Sequence, residues 1–143
     1  MDWSIINERF SLGGAPDLDG VAGLLRHGHT HAIDLRHTTN TIDLYALNFA
    51  YLWNPAIDDG GEKSVEWFTR SIAFAWGALL NPSSRIYVGC HQGNSRGPST
   101  LYAILRTQGM SSEDAATLLS AKRPGAEVTY MQDAERALKA LGY

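Results

Sequence analysis

The sequence predicts an α/β fold in which a central, mostly parallel or mixed sheet carries helices on both faces. Short apolar runs typical of buried strands alternate with segments whose apolar residues recur at helical spacing. Strands that alternate with helices are typical of an α/β sandwich. The chain has 143 residues, of which 44% are hydrophobic, and a chain of that length buries about two-thirds of its unfolded surface. We therefore predict one domain over residues 1–143.

In the first part of the chain we predict four strands and one helix. The strands cover residues 3–6, 9–12, 32–35 and 50–53. The pair Gly13-Gly14 predicts a turn after the second strand. A helix with an apolar stripe follows, and Gly28 ends it. The stripe consists of Leu18, Val21, Ala22 and Leu25. The stretch from Arg36 to Asn48 is polar and irregular, and no element is predicted there.

In the second part of the chain we predict a long helix, a strand and three further helices. The long helix runs from about Glu62 to Leu80, because apolar residues recur there at helical spacing, and Asn81-Pro82 ends it. A strand over 85–89 and a helix over 98–106 follow, and Gly109 ends that helix. The last two helices are predicted from the capping pairs Ser111 with Asp114 and Thr129 with Gln132. The final helix is expected to turn inward Met131, Ala134, Leu138 and Leu141.

The loop after the strand over residues 85–89 carries the strongest chemical signal. It contains the single cysteine, Cys90, with Arg96 six positions later and Gly93 midway. Glycine permits a tight turn, and a helix start offers unpaired N–H groups and a positive dipole end, a field that also favours thiolate over thiol. Arginine can bind two phosphoryl oxygens. The pattern predicts a nucleophilic thiol in a phosphate-binding loop formed by His91, Gln92, Gly93, Asn94, Ser95 and Arg96. The alternative is a buried structural cysteine and a surface arginine.

Residues Cys90 to Arg96 resemble the phosphate-binding loop of the cysteine-dependent protein tyrosine phosphatase superfamily. From about Phe10 to Leu141, the size and element order resemble its small dual-specificity branch. The resemblance implies hydrolysis of phosphate monoesters through a cysteinyl-phosphate intermediate, without metal or other cofactor, and with a general-acid aspartate on a loop before the cysteine. The Arg-Gly-Pro-Ser sequence from Arg96 resembles bacterial or phage-encoded members.

Two positions depart from the usual pattern of that superfamily. Gly89 stands where the family usually has histidine before the cysteine, and Gly97 stands where it usually has serine or threonine after the arginine. The resemblance implies that the missing hydroxyl donates to the sulfur and assists its departure from the phosphoenzyme. Nearby side chains that are candidates to replace the missing ones are His91, Ser95 and Ser99.

An acidic loop from Ile57 to Gly61 follows the fourth predicted strand. Asp58 lies 32 residues before Cys90, a separation similar to that between acid and nucleophile in the small dual-specificity enzymes. An aspartic acid on a mobile loop suits protonation of a leaving oxygen. Asp58 is therefore the predicted general acid, and Asp59 is the second candidate. The alternative is that one or both carboxylates cap the helix from Glu62.

Three alternating histidines, His27, His29 and His31, are weaker candidates for a site. A strand can place alternate residues on one face as metal ligands. No cysteine or carboxylate adjoins them on that face, however, and a solvated loop is the favoured interpretation. We therefore predict no metal at these residues.

The pair Arg36-His37 and the tryptophans have both structural and functional interpretations. Arg36-His37 follows a predicted strand, so it is either an exposed loop pair or a second contact for an anion. Trp53 precedes the acidic loop and is a candidate to flank it. Trp67 and Trp76 recur at helical spacing, which favours packing in the core.

The charge balance and the apolar pattern argue against several classes of protein. A net charge of −3 and a pI near 5.9 disfavour a nucleic-acid or membrane-surface binder, which needs a broad basic face. No apolar run approaches the ~18 residues of a membrane span, and the first residues lack the basic-then-apolar pattern of a signal peptide. A single cysteine forms no intrachain disulfide, which favours a reducing cytoplasm.

The sequence favours a phosphatase that acts on phosphorylated protein or peptide. The alternatives are the same chemistry on a non-protein phosphate ester, such as a phosphoinositide or an RNA 5′-phosphate, and a catalytically weak phospho-binding module. Residues 91–95 contain no lysine, which phosphoinositide-directed relatives often carry in this loop. The retention of both Cys90 and Arg96 argues against the binding module. The choice between phosphotyrosine and phosphoserine or phosphothreonine depends on residues 36–48 and stays open.

Overall fold

A computed structural model describes residues 1–38 and 49–143 of the chain. These residues form five strands and five helices: β1 (Trp3–Ile5), β2 (Phe10–Gly13), α1 (Leu18–Arg26), β3 (His31–Asp34), β4 (Ala50–Trp53), α2 (Val65–Leu79), β5 (Ile86–Gly89), α3 (Arg96–Thr107), α4 (Ser112–Lys122) and α5 (Met131–Ala140). The sheet has the order β1-β2-β5-β3-β4. β1 is antiparallel to β2, and the other neighbouring pairs are parallel. The predicted α/β fold with a mixed, mainly parallel sheet is therefore confirmed.

The central strand β5 is buried along its whole length, because helices cover both faces of the sheet. Alternate side chains of a strand point to opposite faces. Val88 packs in a large cluster with apolar residues of α2, α3, α4 and α5. Tyr87 packs in a smaller cluster with Val21 and Leu24 of α1. Because β2, β3, β4 and β5 run parallel, their carboxyl ends lie at one edge of the sheet, where ligands bind in α/β folds.

Several element boundaries differ from the sequence prediction. The predicted turn at Gly13 is part of β2. The long helix α2 begins at Val65 rather than near Glu62, and its cap is Ser64, whose Oγ accepts from Trp67 N at 3.1 Å. The interpretation that Asp58 or Asp59 caps this helix is therefore wrong. Residues 39–48 of the stretch predicted to be irregular lie outside the described residues.

The helical caps and stripes are confirmed in part. Ser111 Oγ accepts from Asp114 N at 3.1 Å and caps α4 as predicted. Thr129 does not cap α5, which has Tyr130 at the cap position with no side-chain cap bond. In α5, Ala134 and Leu138 are buried as predicted, whereas Leu141 is 39% exposed. The buried face of α1 contains Val21 and Leu24, while the ends of the predicted stripe are exposed at Leu18 and Leu25.

The histidine region is more buried than the sequence predicts. His29 lies between α1 and β3, and its Nε2 is 2.8 Å from Ser11 Oγ while its Nδ1 is 3.0 Å from Leu24 O. Burial lowers the pKa of His29. A solvated loop is therefore wrong for this residue, because β2 and α1 together enclose it.

Of the two tryptophans predicted to pack in the core, Trp67 is buried, whereas Trp76 is half-exposed and donates from Nε1 to Thr107 Oγ1 at 2.8 Å. Among residues 1–38 and 49–143, no helix combines the length and apolar character needed to cross a bilayer.

Candidate active site

The loop from Cys90 to Ser95 connects β5 to α3 and turns tightly around the cysteine sulfur. Cys90 is 3% exposed, and its Sγ accepts a hydrogen bond from Gly93 N at 3.2 Å. Gly93 has a φ of 75°, which favours glycine. A Cβ there would also lie 2.5 Å from the carbonyl carbon of Gly13. Glycine at position 93 is therefore required both by the backbone angle and by the neighbouring strand.

Four consecutive carbonyls of this loop accept hydrogen bonds from groups outside it. Ala15 N donates to His91 O at 3.0 Å, and Glu127 N donates to Asn94 O at 2.8 Å. Between them, Arg123 donates from Nη2 to Gln92 O at 2.8 Å and from Nε to Gly93 O at 2.9 Å. In a trans peptide the N–H points opposite to the C=O. The outward carbonyls therefore direct successive N–H groups inward, as the bond from Gly93 N to the sulfur shows.

Arg123 is a site residue that the sequence analysis missed. The sequence shows only that Arg123 lies between the last two predicted helices, a position typical of a connecting loop. The side chain is almost fully buried, and burial of arginine without partners is costly. Its partners come from residues about 30 and 120 positions away, so local sequence does not reveal them.

Arg96 is buried at the start of α3, with 7% of its surface exposed. Its Nη1 donates to Ala56 O at 2.6 Å and lies 3.4 Å from Leu35 O. Its Nε has no acceptor among residues 1–38 and 49–143. A buried guanidinium held on one side, with an unpaired N–H on another, can bind an oxyanion in the adjoining cleft.

The two candidate acids take different positions. Asp58 Oδ1 accepts from Ser95 Oγ at 3.0 Å and from Tyr130 OH at 2.7 Å, so this carboxylate lies against the loop. Asp59 Oδ1 accepts from Lys63 Nζ at 2.9 Å. That bond holds the pKa of Asp59 below its usual value, and it ties this carboxylate to Lys63 rather than to the phosphate-binding loop.

A cleft of about 330 Å³ opens over the loop, lined by Asp58, Cys90, His91, Gln92, Asn94, Ser95 and Arg96. The structure thus brings the predicted nucleophile, arginine and first-choice acid to one cleft. Gly93, also predicted to bind phosphate, lies buried beneath it.

The two glycine departures have steric explanations. A Cβ at Gly89 would lie 2.8 Å from the Tyr87 ring, and one at Gly97 would lie 2.8 Å from Leu12 Cδ1. A larger residue at either position therefore requires a neighbour to move. The Cβ at Gly97 would also lie 3.5 Å from Cys90 Sγ, so a hydroxyl carried at position 97 can reach the sulfur.

The serines considered as replacements for that hydroxyl are engaged elsewhere. Ser95 Oγ donates to Asp58 Oδ1. Ser99 Oγ accepts from Tyr130 N at 3.0 Å, within the buried contact between α3 and the start of α5. Among the described residues, the sulfur accepts from Gly93 N and from neither of these serines.

Arg36 and Trp53 lie near the same edge of the sheet but face other partners. Arg36 binds both carboxylate oxygens of Asp34, with Nε–Oδ1 at 2.9 Å and Nη2–Oδ2 at 2.8 Å. The hydrogen bond with Asp34 raises the pKa of Arg36. Trp53 Nε1 donates to Arg36 O at 2.8 Å. His37 is exposed. Arg36 is therefore neither an exposed loop residue nor part of the described cleft lining.

Known proteins resemble the chain in both sequence and fold. Human dual specificity protein phosphatase 8 is 34% identical over 136 residues, which cover 91% of this chain and 21% of that protein. The mouse protein of the same name gives the same identity over the same share of this chain. The chain thus spans about a fifth of the length of the curated relatives it matches. No family model matches the chain.

Solved structures share the fold at low sequence identity. Human DUSP28 superposes with a TM-score of 0.83 at 22% identity, covering 96% of both chains. PTPMT1 also gives a TM-score of 0.83, at 16% identity, covering 98% of this chain and 96% of the other. A human tyrosine phosphatase-like serine/threonine/tyrosine-interacting protein gives 0.80 at 22% identity, covering 97% and 96%.

The fold, the loop and these likenesses define a class of protein. The chain belongs to the cysteine-dependent protein tyrosine phosphatase superfamily. Within that superfamily it is a small member of the dual-specificity phosphatase type. The finer resemblance to bacterial or phage-encoded members stays a prediction.

Proposed function

We propose that this protein hydrolyses phosphate monoesters on phosphorylated protein or peptide through a cysteinyl-phosphate intermediate at Cys90. The observation that carries the proposal is the buried Arg96, whose Nε has no acceptor among the described residues, in a cleft shared with Cys90. A free guanidinium N–H beside a thiol that already accepts a backbone N–H forms an oxyanion site next to a nucleophile.

In the first proposed step, Cys90 Sγ attacks the phosphorus. The S–P bond forms and the P–O bond to the substrate breaks, and Asp58 gives its proton to the leaving oxygen. The inward N–H groups of the loop and Arg96 bind the phosphoryl oxygens where negative charge develops. No metal or other cofactor takes part in this scheme.

In the second proposed step, water attacks the phosphorus and gives a proton to Asp58. The S–P bond breaks, the thiolate is restored and inorganic phosphate leaves. The position of Asp58 against Ser95 and Tyr130, compared with Asp59 bound to Lys63, supports Asp58 for both proton transfers. We place Asp59 and Ser99 outside the chemical steps.

Protein is the proposed substrate because no lysine lies between positions 91 and 95 to bind a polyanionic headgroup, and because the net charge of −3 disfavours RNA. The relatives named as dual specificity protein phosphatases support the same choice. PTPMT1 has been solved in complex with PI(5)P, so phosphoinositide is the alternative to test. We also propose that residues 1–143 act as a single domain in the cytoplasm.

The test compares wild type with Cys90→Ser on an aryl phosphate, on phosphotyrosyl and phosphoseryl peptides, and on PI(5)P. Wild type is expected to turn over the aryl phosphate and at least one phosphopeptide. Cys90→Ser is expected to lose turnover while it retains phosphate binding, because the loop N–H groups and Arg96 remain.

Undiminished turnover by Cys90→Ser would exclude the covalent mechanism. Turnover of PI(5)P alone would replace protein by lipid as the substrate. Phosphopeptide binding by wild type without any turnover would identify a phospho-binding module instead.

A further inference from the structure

We infer that Arg123 is a positioning residue that holds the phosphate-binding loop in its anion-binding conformation, an inference that rests on the proposed function of that loop. Arg123 follows α4, outside the Cys90–Arg96 segment, and it does not line the cleft. It acts on a bound anion through the backbone of the loop.

The guanidinium of Arg123 reaches the loop from its outer side with two of its three nitrogens. Nε donates to Gly93 O at 2.9 Å and Nη2 donates to Gln92 O at 2.8 Å. These two carbonyls belong to the peptide units that carry Gly93 N and Asn94 N. A planar guanidinium with fixed donor directions sets the orientation of both units together.

The consequence of that orientation is visible at the sulfur. The peptide unit whose carbonyl accepts from Arg123 Nη2 carries the N–H that donates to Cys90 Sγ at 3.2 Å. Rotation of this unit would turn its carbonyl towards the thiolate and the bound anion, where a negative dipole end is unfavourable. Arg123 therefore favours the one orientation that suits both sulfur and phosphate.

The remaining donors of Arg123 bind the amino-terminal segment of the chain. Nη1 donates to Ser4 Oγ at 3.0 Å, and Nη2 lies 3.3 Å from Asp2 Oδ2. Ser4 belongs to β1, so a strand of the sheet holds the guanidinium in place. Asp2 is largely exposed, and its ion pair with Arg123 is correspondingly weak.

The experiment compares Arg123→Lys with a matched control, Arg9→Lys. Arg9 makes the same kind of contacts far from the loop: its Nε donates to Ser84 O and its Nη2 donates to Asn81 O, each at 2.8 Å. Both substitutions keep the positive charge and remove an arginine bonded to two carbonyls. A general loss of stability therefore affects both variants, whereas a positioning role affects Arg123→Lys alone.

Three quantities are measured below the unfolding temperature of each variant: the Kd for orthovanadate, the rate of Cys90 alkylation by iodoacetate as a function of pH, and kcat/KM for an aryl phosphate. Arg123→Lys is expected to bind orthovanadate about tenfold more weakly. Its alkylation profile is expected to shift to higher pH, and its kcat/KM to fall. Arg9→Lys is expected to match wild type in all three.

Equal orthovanadate affinity and equal alkylation profiles for the two variants would overturn the inference. These readouts need no turnover, so they decide the role of Arg123 even where wild type proves inactive and the proposed function fails. If Arg123→Lys does not fold, Ser4→Ala takes its place, since it removes a partner that orients the guanidinium. Ser4→Ala is then expected to weaken orthovanadate binding, and unchanged binding would count against the inference.

Discussion

The phosphate-binding loop and the acidic loop lie side by side but are held in very different ways. In the phosphate-binding loop, four consecutive carbonyls from His91 to Asn94 accept bonds from the connection between β2 and α1, from Arg123 and from the chain before α5. In the acidic loop, residues 57–61 are exposed. Side chains supply the bonds that hold Asp58, through Ser95 Oγ and Tyr130 OH.

This difference matches the two tasks that we propose. A group that stabilises developing charge is most effective when its dipoles are already oriented before reaction. A general acid must approach the leaving oxygen and then admit water to the same place, which suits a loop that can move. We therefore expect substitutions at the two loops to change activity by different amounts. The largest loss is expected in the phosphate-binding loop, and the smallest where one side-chain bond to Asp58 is removed.

The largest effect is expected from Arg96→Lys in the phosphate-binding loop. A point charge does not reproduce the fork that binds two oxygens, so kcat/KM should fall on the order of a hundredfold or more on every substrate. Steady-state kinetics with good and poor leaving groups measure the loss. Arg36→Lys is the control, since Arg36 pairs with Asp34 outside the cleft lining, and it should keep most of the activity. A mild effect of Arg96→Lys would mean that Arg96 does not bind the phosphate.

Asp58→Asn is expected to show the selectivity typical of a lost proton donor. Turnover of poor leaving groups should fall by about a hundredfold, while good leaving groups, which depart unprotonated, change little. The decline of activity on the alkaline side of the pH profile should disappear. Asp59→Asn is the matched control and should have a small effect, because Asp59 binds Lys63. The reverse pattern would assign the acid to Asp59.

Gly97→Ser adds a side-chain donor in the first turn of α3, beside the phosphate-binding loop. Without a hydroxyl at position 97 we expect hydrolysis of the phosphoenzyme to be slow, since one such donor contributes about 1–3 kcal/mol. Rapid mixing of wild type with a chromogenic aryl phosphate should then show a burst near one equivalent, and Gly97→Ser should shrink the burst and raise turnover up to about tenfold.

Gly97→Ala is the control for that experiment. Its Cβ meets Leu12 Cδ1 at the same 2.8 Å but brings no hydroxyl, so it reports the steric cost alone. Linear product release by wild type from the first turnover, with no gain in Gly97→Ser over Gly97→Ala, would show that the missing hydroxyl does not limit the rate.

The smallest effect is expected from Tyr130→Phe, which removes one of the two side-chain bonds to Asp58. Burial and the bond to Asp58 raise the pKa of Tyr130, so its hydroxyl stays a donor. Its loss should lower kcat for poor leaving groups by about threefold to tenfold with little change in KM. Equal effects on good and poor leaving groups would indicate a structural role for Tyr130 rather than one acting through Asp58.

Local sequence was sufficient to predict the elements and the loop. Strand and helix periodicity, Gly28 as a helix end and Ser111 as a cap depend on neighbours a few residues apart, and so does the spacing from Cys90 to Arg96. The sequence also predicted which segment carries the acid, because the acidic loop directly follows β4. The sequence could not decide between Asp58 and Asp59. That choice depends on the contacts of Asp58 with Ser95 and Tyr130 and of Asp59 with Lys63.

Tertiary structure alone decided the contacts made across long stretches of chain. Arg123 meets carbonyls about 30 residues earlier and a strand at the start of the chain, and Tyr130 meets an acid 72 residues earlier. The burial of His29 against Ser11 and the engagement of Ser99 with Tyr130 N arise in the same way. Sequence periodicity reports which side of an element is apolar, but polar partners are chosen when buried donors and acceptors from distant segments must satisfy one another.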